Sequence, residues 1–176
     1  AAHMEVGEVE RAEELFEAMP ERNAYTLVEM VCGYSARGDM DSAKRLFEIA
    51  VAKGAENTVV CTAMISGYAK TGNADDARAV FDGMRVRDAA TWNVMIGVYS
   101  GAGRAVEAVD LFKIMLEIRA RPKVEPNHTT ISIVAAACAQ CGLPTQASWI
   151  QDYVDRHTML LNNHTVAALI DMHSKC

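Results

Sequence analysis

Cys61-Thr62-Ala63-Met64-Ile65-Ser66-Gly67-Tyr68, then Gly72, then Ala77-Arg78-Ala79-Val80-Phe81: this stretch writes two apolar stripes parted by one glycine. Cys61, Met64, Ile65 and Tyr68 stand at offsets 0, 3, 4 and 7, which a helix gathers on one face and a half-buried strand scatters over two. Ala77, Val80 and Phe81 repeat the offsets 0, 3 and 4. A glycine between two such stripes suits a short helix–helix turn that needs positive φ. The segment predicts a helical hairpin.

The hairpin recurs along the chain. Gly7, Gly38, Gly72, Gly103 and Gly142 each precede an alanine by five residues (Ala12, Ala43, Ala77, Ala108, Ala147), and the glycines are 31, 34, 31 and 39 residues apart. Self-similarity at a period in the thirties marks a stacked supersecondary unit. After the glycine comes a B helix, with stripes such as Ala12, Leu15, Phe16; Ala43, Leu46, Phe47; or Ala108, Leu111, Phe112. The last copy keeps Ala147 and Ile150, loses the Phe and supplies Trp149. Before the glycine lies an A helix: Leu27, Met30, Val31, Tyr34; then Trp92, Met95, Ile96, Tyr99; then Ile131, Val134, Ala135, Cys138; and finally Val166, Leu169, Ile170, His173. A short polar linker follows each B helix, and the next A helix starts at or just after an Asn or Asp. The units run 24–57, 58–88, 89–127 and 128–162, with a B fragment at 1–23 and an A fragment at 163–176. The third is lengthened by a small basic loop around Ile118–Glu125 that carries Arg119, Arg121 and Lys123. Such hairpins cannot bury their apolar faces alone, so the expected fold is all-α, a right-handed superhelical solenoid of helix-turn-helix repeats treated as one body. Missing caps at both ends would favour end-to-end self-association.

The formal charge of −6 argues at first against a nucleic-acid partner. Its location changes that judgement. Residues 1–23 hold seven Glu against Arg11 and Arg22, while the remaining residues carry 16 acids and 15 bases. Phosphate binding depends on the local field in a groove rather than on the sum over a chain. No strongly basic region supports tight non-specific binding. No run has the eighteen or more apolar residues of a membrane span, so no membrane partner is expected. Five cysteines make an odd count, and a disulfide framework is not expected. Cys138-Ala139-Gln140-Cys141 has metal-like spacing, but there is no second Cys pair, and His157, His164 and His173 are not spaced as ligands. Cys138 falls on the A-helix stripe and reads as a structural thiol. No nucleophile–base pair, P-loop or paired carboxylates stand out, so neither an enzyme nor a cofactor is expected.

Val60-Cys61-Thr62-Ala63-Met64-Ile65-Ser66-Gly67-Tyr68-Ala69-Lys70-Thr71-Gly72 resembles the first helix of a pentatricopeptide repeat, as does Thr91-Trp92-Asn93-Val94-Met95-Ile96-Gly97-Val98-Tyr99. Phe16-Glu17-Ala18-Met19-Pro20-Glu21-Arg22-Asn23 resembles the closing segment of the same repeat. Alternation of 31-residue units with longer ones is similar to the PLS subclass: 58–88 is S-like, 89–127 P-like with an insertion, and 128–162 L-like through Asn127-His128-Thr129-Thr130 and Ala135-Ala136-Ala137-Cys138-Ala139. Residues 163–176 resemble a partial S repeat, departing at His173 where Tyr is usual. The resemblance implies single-stranded RNA binding, one nucleotide per repeat, in a mitochondrion or chloroplast. It also implies a role as the site-recognition part of a C-to-U editing factor, with editing cofactor proteins as further partners.

In that family the fifth A-helix residue and the last residue of the repeat contact one base. Carried over, the base-reading pairs are Val28/Asn57, Thr62/Asp88, Asn93/Asn127 and Ser132/Asn162. Asp only accepts and suits the ring N–H of G or U, whereas Asn donates and accepts and tolerates C or A. The implied tract, 5′ to 3′ with the chain, is pyrimidine–G–C/U–A. Bases would be sandwiched by the second A-helix residues Tyr25, Val59, Ala90 and Thr129, and Lys70 and Lys175 would contact phosphate. A purely structural role competes at the repeat ends, since Asn and Asp are preferred N-caps, and both roles can coexist. Trp92 and Trp149 read as core. The rival function is a protein-interaction scaffold, as in the 34-residue tetratricopeptide repeats, favoured by the acidic end and the scarcity of groove cations.

Overall fold

The computed structural model describes residues 24–118, 124–157 and 161–176. The segment 1–23, with Ala12, Leu15, Phe16 and Asn23, and the basic trio Arg119, Arg121 and Lys123 lie outside the described residues. Among the described residues the chain is an all-α helical repeat array: α1 (Ala24–Arg37), α2 (Met40–Ala52), α3 (Thr58–Lys70), α4 (Ala74–Gly83), α5 (Ala89–Gly101), α6 (Ala105–Glu117), α7 (His128–Cys141), α8 (Pro144–His157) and α9 (Asn163–Lys175). The odd-numbered helices are the A helices. None of the described helices is long and apolar enough to cross a membrane.

Four glycines set the hairpin turns. Gly38, Gly72, Gly103 and Gly142 have φ of 81°, 78°, 71° and 58°, the left-handed region where a Cβ is strained. At the first three, the glycine N–H returns to the carbonyl three residues back, and the next N–H returns to the one five back. Gly38 donates to Ser35 and Asp39 to Tyr34, Gly72 to Ala69 and Asn73 to Tyr68, Gly103 to Ser100 and Arg104 to Tyr99. That pair of bonds is a Schellman cap, which satisfies carbonyls the helix end leaves open.

The chain divides into two compact units, residues 1–80 and 81–176, with the division inside α4. In the first, α1 packs on both α2 and α3. Leu27, Met30 and Ala50 form a core flanked by Tyr34, Leu46 and Ala55, and Cys61, Met64 and Ile65 are buried along α3. Gly67 has a packing role here: a Cβ would lie 2.5 Å from Met40 Sδ and 3.0 Å from Ser35 Cβ.

In the second unit α5 packs on α6 and α7, and α7 on α6, α8 and α9. Trp92 is buried and meets Phe81 edge-on, with ring centroids 4.9 Å apart. Trp149 is half-buried, edge-on to Phe112 at 5.8 Å. Both tryptophans are packing residues. The A-helix stripes of α5 and α7 are fully buried. That of α9 is not: Leu169 is buried, but Val166 and Ile170 are exposed, as is His173. Cys138 is buried, and burial pushes its thiol up to about 12; Cys61 is pushed up to about 11 for the same reason. The described cysteines are all free, and no described group of three His, Cys, Asp or Glu residues is placed to hold a metal ion.

Candidate nucleic-acid interface

The first four N–H groups of a helix have no partner inside it, and at the starts of α3, α5, α7 and α9 the chain answers with the residue that closes the preceding unit. Asn57 Oδ1 accepts from the Val60 N–H at 2.9 Å, capping α3. Asp88 accepts from the Thr91 N–H at 2.8 Å and from the Thr91 hydroxyl at 2.7 Å, capping α5. These two bonds, the backbone one foremost, hold the Asp88 carboxyl below the usual carboxylate range. Asn127 caps α7 in a reciprocal box: its Oδ1 accepts from the Thr130 N–H at 3.1 Å, and its own N–H donates to Thr130 Oγ1 at 3.0 Å. Asn162 accepts from the Thr165 N–H at 2.8 Å. The structural role of these four residues is therefore real, and any readout of a base would share atoms with it.

Two of the fifth A-helix residues, Asn93 and Ser132, come to the same place. Asn93 on α5 donates from Nδ2 to Asn127 Oδ1 at 3.3 Å, and the Thr130 hydroxyl lies 2.6 Å from Asn93 Oδ1. Ser132 on α7 donates to the His128 carbonyl at 3.0 Å and lies 2.9 Å from Thr165 Oγ1, which is itself 2.9 Å from Asn162 Oδ1. Two residues that are 34 apart in sequence thus touch at the first junction, and a threonine bridges the corresponding pair at the second. Asn93 is 9% exposed and Ser132 5%, so both sit between A helices with the more open cap residues beside them. Val28 is half-buried and brings no polar atom; its partner Asn57 is exposed. Thr62 is half-buried in the first unit, while Asp88, exposed, belongs to the second.

The second A-helix residues are solvent-facing. Tyr25 is 74% exposed and Val59 64%; Ala90 and Thr129 are exposed as well. The cations are engaged. Lys70 donates to the Ala36 carbonyl in the last turn of α1 at 3.0 Å, and Lys175 pairs with Asp171 at 2.8 Å, one turn back on α9.

Two sets of residues escaped the sequence reading. Thr91, Thr130 and Thr165 are all completely buried, each three residues after a capping Asn or Asp, and each turns its hydroxyl toward the cap or the fifth position. The signal was there in the spacing of a capping box. His164 stands at the second position of α9, where Tyr25, Val59, Ala90 and Thr129 stand on theirs; its Nδ1 is 3.3 Å from Ser132 Oγ. The same offset from Asn162 would have found it.

Known proteins share the repeat and the fold. The profile of the PPR repeat family matches residues 1–23, 26–54, 59–88 and 90–119. Among curated Arabidopsis thaliana proteins, the chloroplastic pentatricopeptide repeat-containing protein At2g42920 is 42% identical over 53 residues, 30% of this chain and 10% of its own length. The chloroplastic pentatricopeptide repeat-containing protein DOT4 is 32% identical over 81 residues, 46% of this chain and 9% of its own. The crystal structure of the maize pentatricopeptide repeat protein PPR10 superposes with a TM-score of 0.67 at 26% identity, covering 95% of this chain and 24% of PPR10. PPR10 in complex with an 18-nt psaJ RNA element gives 0.72 at 15% identity, covering 96% and 25%. The matched stretches are about a tenth of each curated relative and about a quarter of PPR10.

Proposed function

Because the chain belongs to the pentatricopeptide repeat family, we propose that it binds single-stranded RNA at the starts of its A helices, one base per repeat. The repeat array is a binding module and not a catalyst. The observation that carries the reading is the meeting of Asn93 with Asn127 at 3.3 Å. Residues that alternate with the repeat are joined at a helix start, where amide donors and acceptors are concentrated. A base edge could be matched there by the inventory of two side chains. The exposed Tyr25, Val59, Ala90 and Thr129 would flank successive bases, as apolar and aromatic groups do for single strands. Lys70 and Lys175 would supply phosphate contacts. With both already engaged, the electrostatic contribution is modest, and binding by this chain is weak and salt-sensitive. The sequence-derived tract is pyrimidine–G–C/U–A.

We further propose that the parent protein is a PLS-type site-recognition factor for organellar C-to-U editing, with the chemistry supplied by a separate domain or partner. The chloroplastic relatives support an organellar address, and the L-like unit 128–162 would also be the place to receive an editing cofactor protein. A second reading, a scaffold that grips a peptide, is favoured by the burial of Asn93 and Ser132 and by the ion pairing of Lys175.

The deciding experiment is a titration of the chain with a set of short single-stranded RNAs in which every position is varied in turn. Asn127→Asp keeps an N-cap residue but exchanges an amide for an acceptor-only group. It should move the preference at one nucleotide from C toward U. Binding that is indifferent to RNA sequence and to this change would favour the scaffold.

A further inference from the structure

The geometry points to Thr130 as a positioning residue that sets the polarity with which the third repeat, 89–127, meets its base. The inference rests on the base-reading role proposed above and names the residue that would decide cytosine against uracil there.

The order of protons around Thr130 is forced from the backbone outward. Which end of an Asn amide is oxygen is settled by its hydrogen-bond network. Here the network starts from two groups that can only donate. The Thr130 N–H points at the Asn127 side chain at 3.1 Å, so the atom facing it is Oδ1. The Asn93 atom 3.3 Å from that oxygen must then be Nδ2, since two carbonyl oxygens would repel. Asn93 Oδ1 is left facing Thr130 Oγ1 at 2.6 Å. Oγ1 already accepts from the Asn127 N–H at 3.0 Å, and its single proton goes to Asn93 Oδ1. Asn127 Oδ1, 3.2 Å from the same hydroxyl, is filled by its other two donors. Thr130 is completely buried, so water does not compete for these bonds.

The consequence is chemical. Asn93 has its carbonyl directed inward, with one N–H spent on Asn127 and the other unspent among the described residues. Asn127 has its oxygen taken by the Thr130 N–H and by Asn93, which leaves its two amide N–H groups as what it has to offer a base. A base would therefore meet a surface of donors. Cytosine offers adjacent acceptors at N3 and O2, whereas uracil offers an N3–H between two acceptors, and that N–H would face another donor. Cytosine is the base this polarity selects. Without the Thr130 hydroxyl the Asn93 amide keeps only its longer 3.3 Å bond to Asn127 Oδ1 and loses the 2.6 Å one, so its sense is held less firmly, and a flipped amide would present its oxygen to the uracil N3–H.

The test uses the whole chain and hexanucleotide RNAs that vary one position at a time, the relevant nucleotide being the one whose preference Asn127→Asp moves. Wild type should favour C over U there by roughly fivefold, the worth of about one net hydrogen bond. Thr130→Val should bring the ratio below about twofold, Thr130→Ser should restore it, and Thr165→Val should leave it unchanged. A ratio that survives Thr130→Val in folded protein overturns the role of Thr130 and leaves base reading intact. A wild type with no C/U difference at any position responsive to Asn127 overturns base reading itself, and this inference with it. Should Thr130→Val not fold, NMR of the wild type decides. The Asn93 side-chain NH2 protons must show proximity to the Asn127 side chain; proximity to the Thr130 methyl instead overturns the assignment.

Discussion

The junction of α5 with α7 and the junction of α7 with α9 are built on one plan, and a single residue separates their behaviour. Both have an Asn cap (Asn127, Asn162) and a buried threonine three residues on (Thr130, Thr165). At the first the fifth residue is Asn93; at the second it is Ser132. An amide has two unlike ends, so its bonds to Asn127 and Thr130 fix a direction for the whole group. A hydroxyl can rotate. Ser132 lies near the His128 carbonyl, Thr165 Oγ1 and His164 Nδ1, and Thr165 Oγ1 lies near the His128 carbonyl and Asn162 Oδ1. No single order of donors follows from those distances. The start of α3 lacks even the threonine, with Val60 receiving the cap of Asn57. The same backbone thus carries junctions of very different polarity.

The largest expected effect is on stability, and it separates the two threonines. Thr130→Val leaves the Asn127 N–H and Asn93 Oδ1 without their partner inside the protein and should cost about 2 kcal/mol. Thr165→Val should cost about 1 kcal/mol, because Ser132 keeps the His128 carbonyl and Asn162 keeps the Thr165 backbone N–H. Urea denaturation of the two variants measures the difference; equal losses would mean the hydroxyls are equivalent and the comparison has no energetic content.

Asn93→Ser turns the first junction into a copy of the second. In the RNA titration the preference at that nucleotide should shift from C toward A by several-fold, about the worth of one hydrogen bond. An unchanged profile would show that the fifth position is not what the base meets.

The smallest effect concerns pH and the one charged residue among the four A-helix caps Asn57, Asp88, Asn127 and Asn162. Asp88 has its carboxyl held low by the Thr91 N–H and hydroxyl. A lowered folded pKa means that the added stability is present above the unfolded carboxylate value, near 4, and fades as pH falls through the lowered one. A charge at a helix N-terminus is worth at most about 1 kcal/mol. The melting-temperature advantage of wild type over Asp88→Asn should accordingly shrink between about pH 6 and pH 3. Asn57, Asn127 and Asn162 carry no such dependence, and a constant gap would place the Asp88 contribution in geometry rather than charge.

Much of this was legible from residues alone. The stripes Trp92, Met95, Ile96, Tyr99 and Ile131, Val134, Ala135, Cys138 announced helices and their buried faces, and all eight residues are buried. Gly38, Gly72 and Gly103 announced turns and have positive φ. Asn57, Asp88, Asn127 and Asn162 announced helix starts and cap them. The stripe of α9 was equally periodic, yet Ile170 is 65% exposed, because periodicity specifies a face and not what covers it. The roles of Lys70 and Lys175 were less legible. Lys70 reaches the Ala36 carbonyl across 34 residues, a partner that no local pattern names.

By itself the sequence determined the elements, their period and the residues at each helix start, since helical spacing, left-handed glycines and capping preferences act over a few neighbouring residues. Only the tertiary structure decided that Asn93 meets Asn127 and Thr130, which hydroxyl lies against which amide, and how deeply the pair is buried. Those outcomes depend on how one A helix packs against the next. At distances near 3 Å, small displacements of the packing decide whether a hydrogen bond forms.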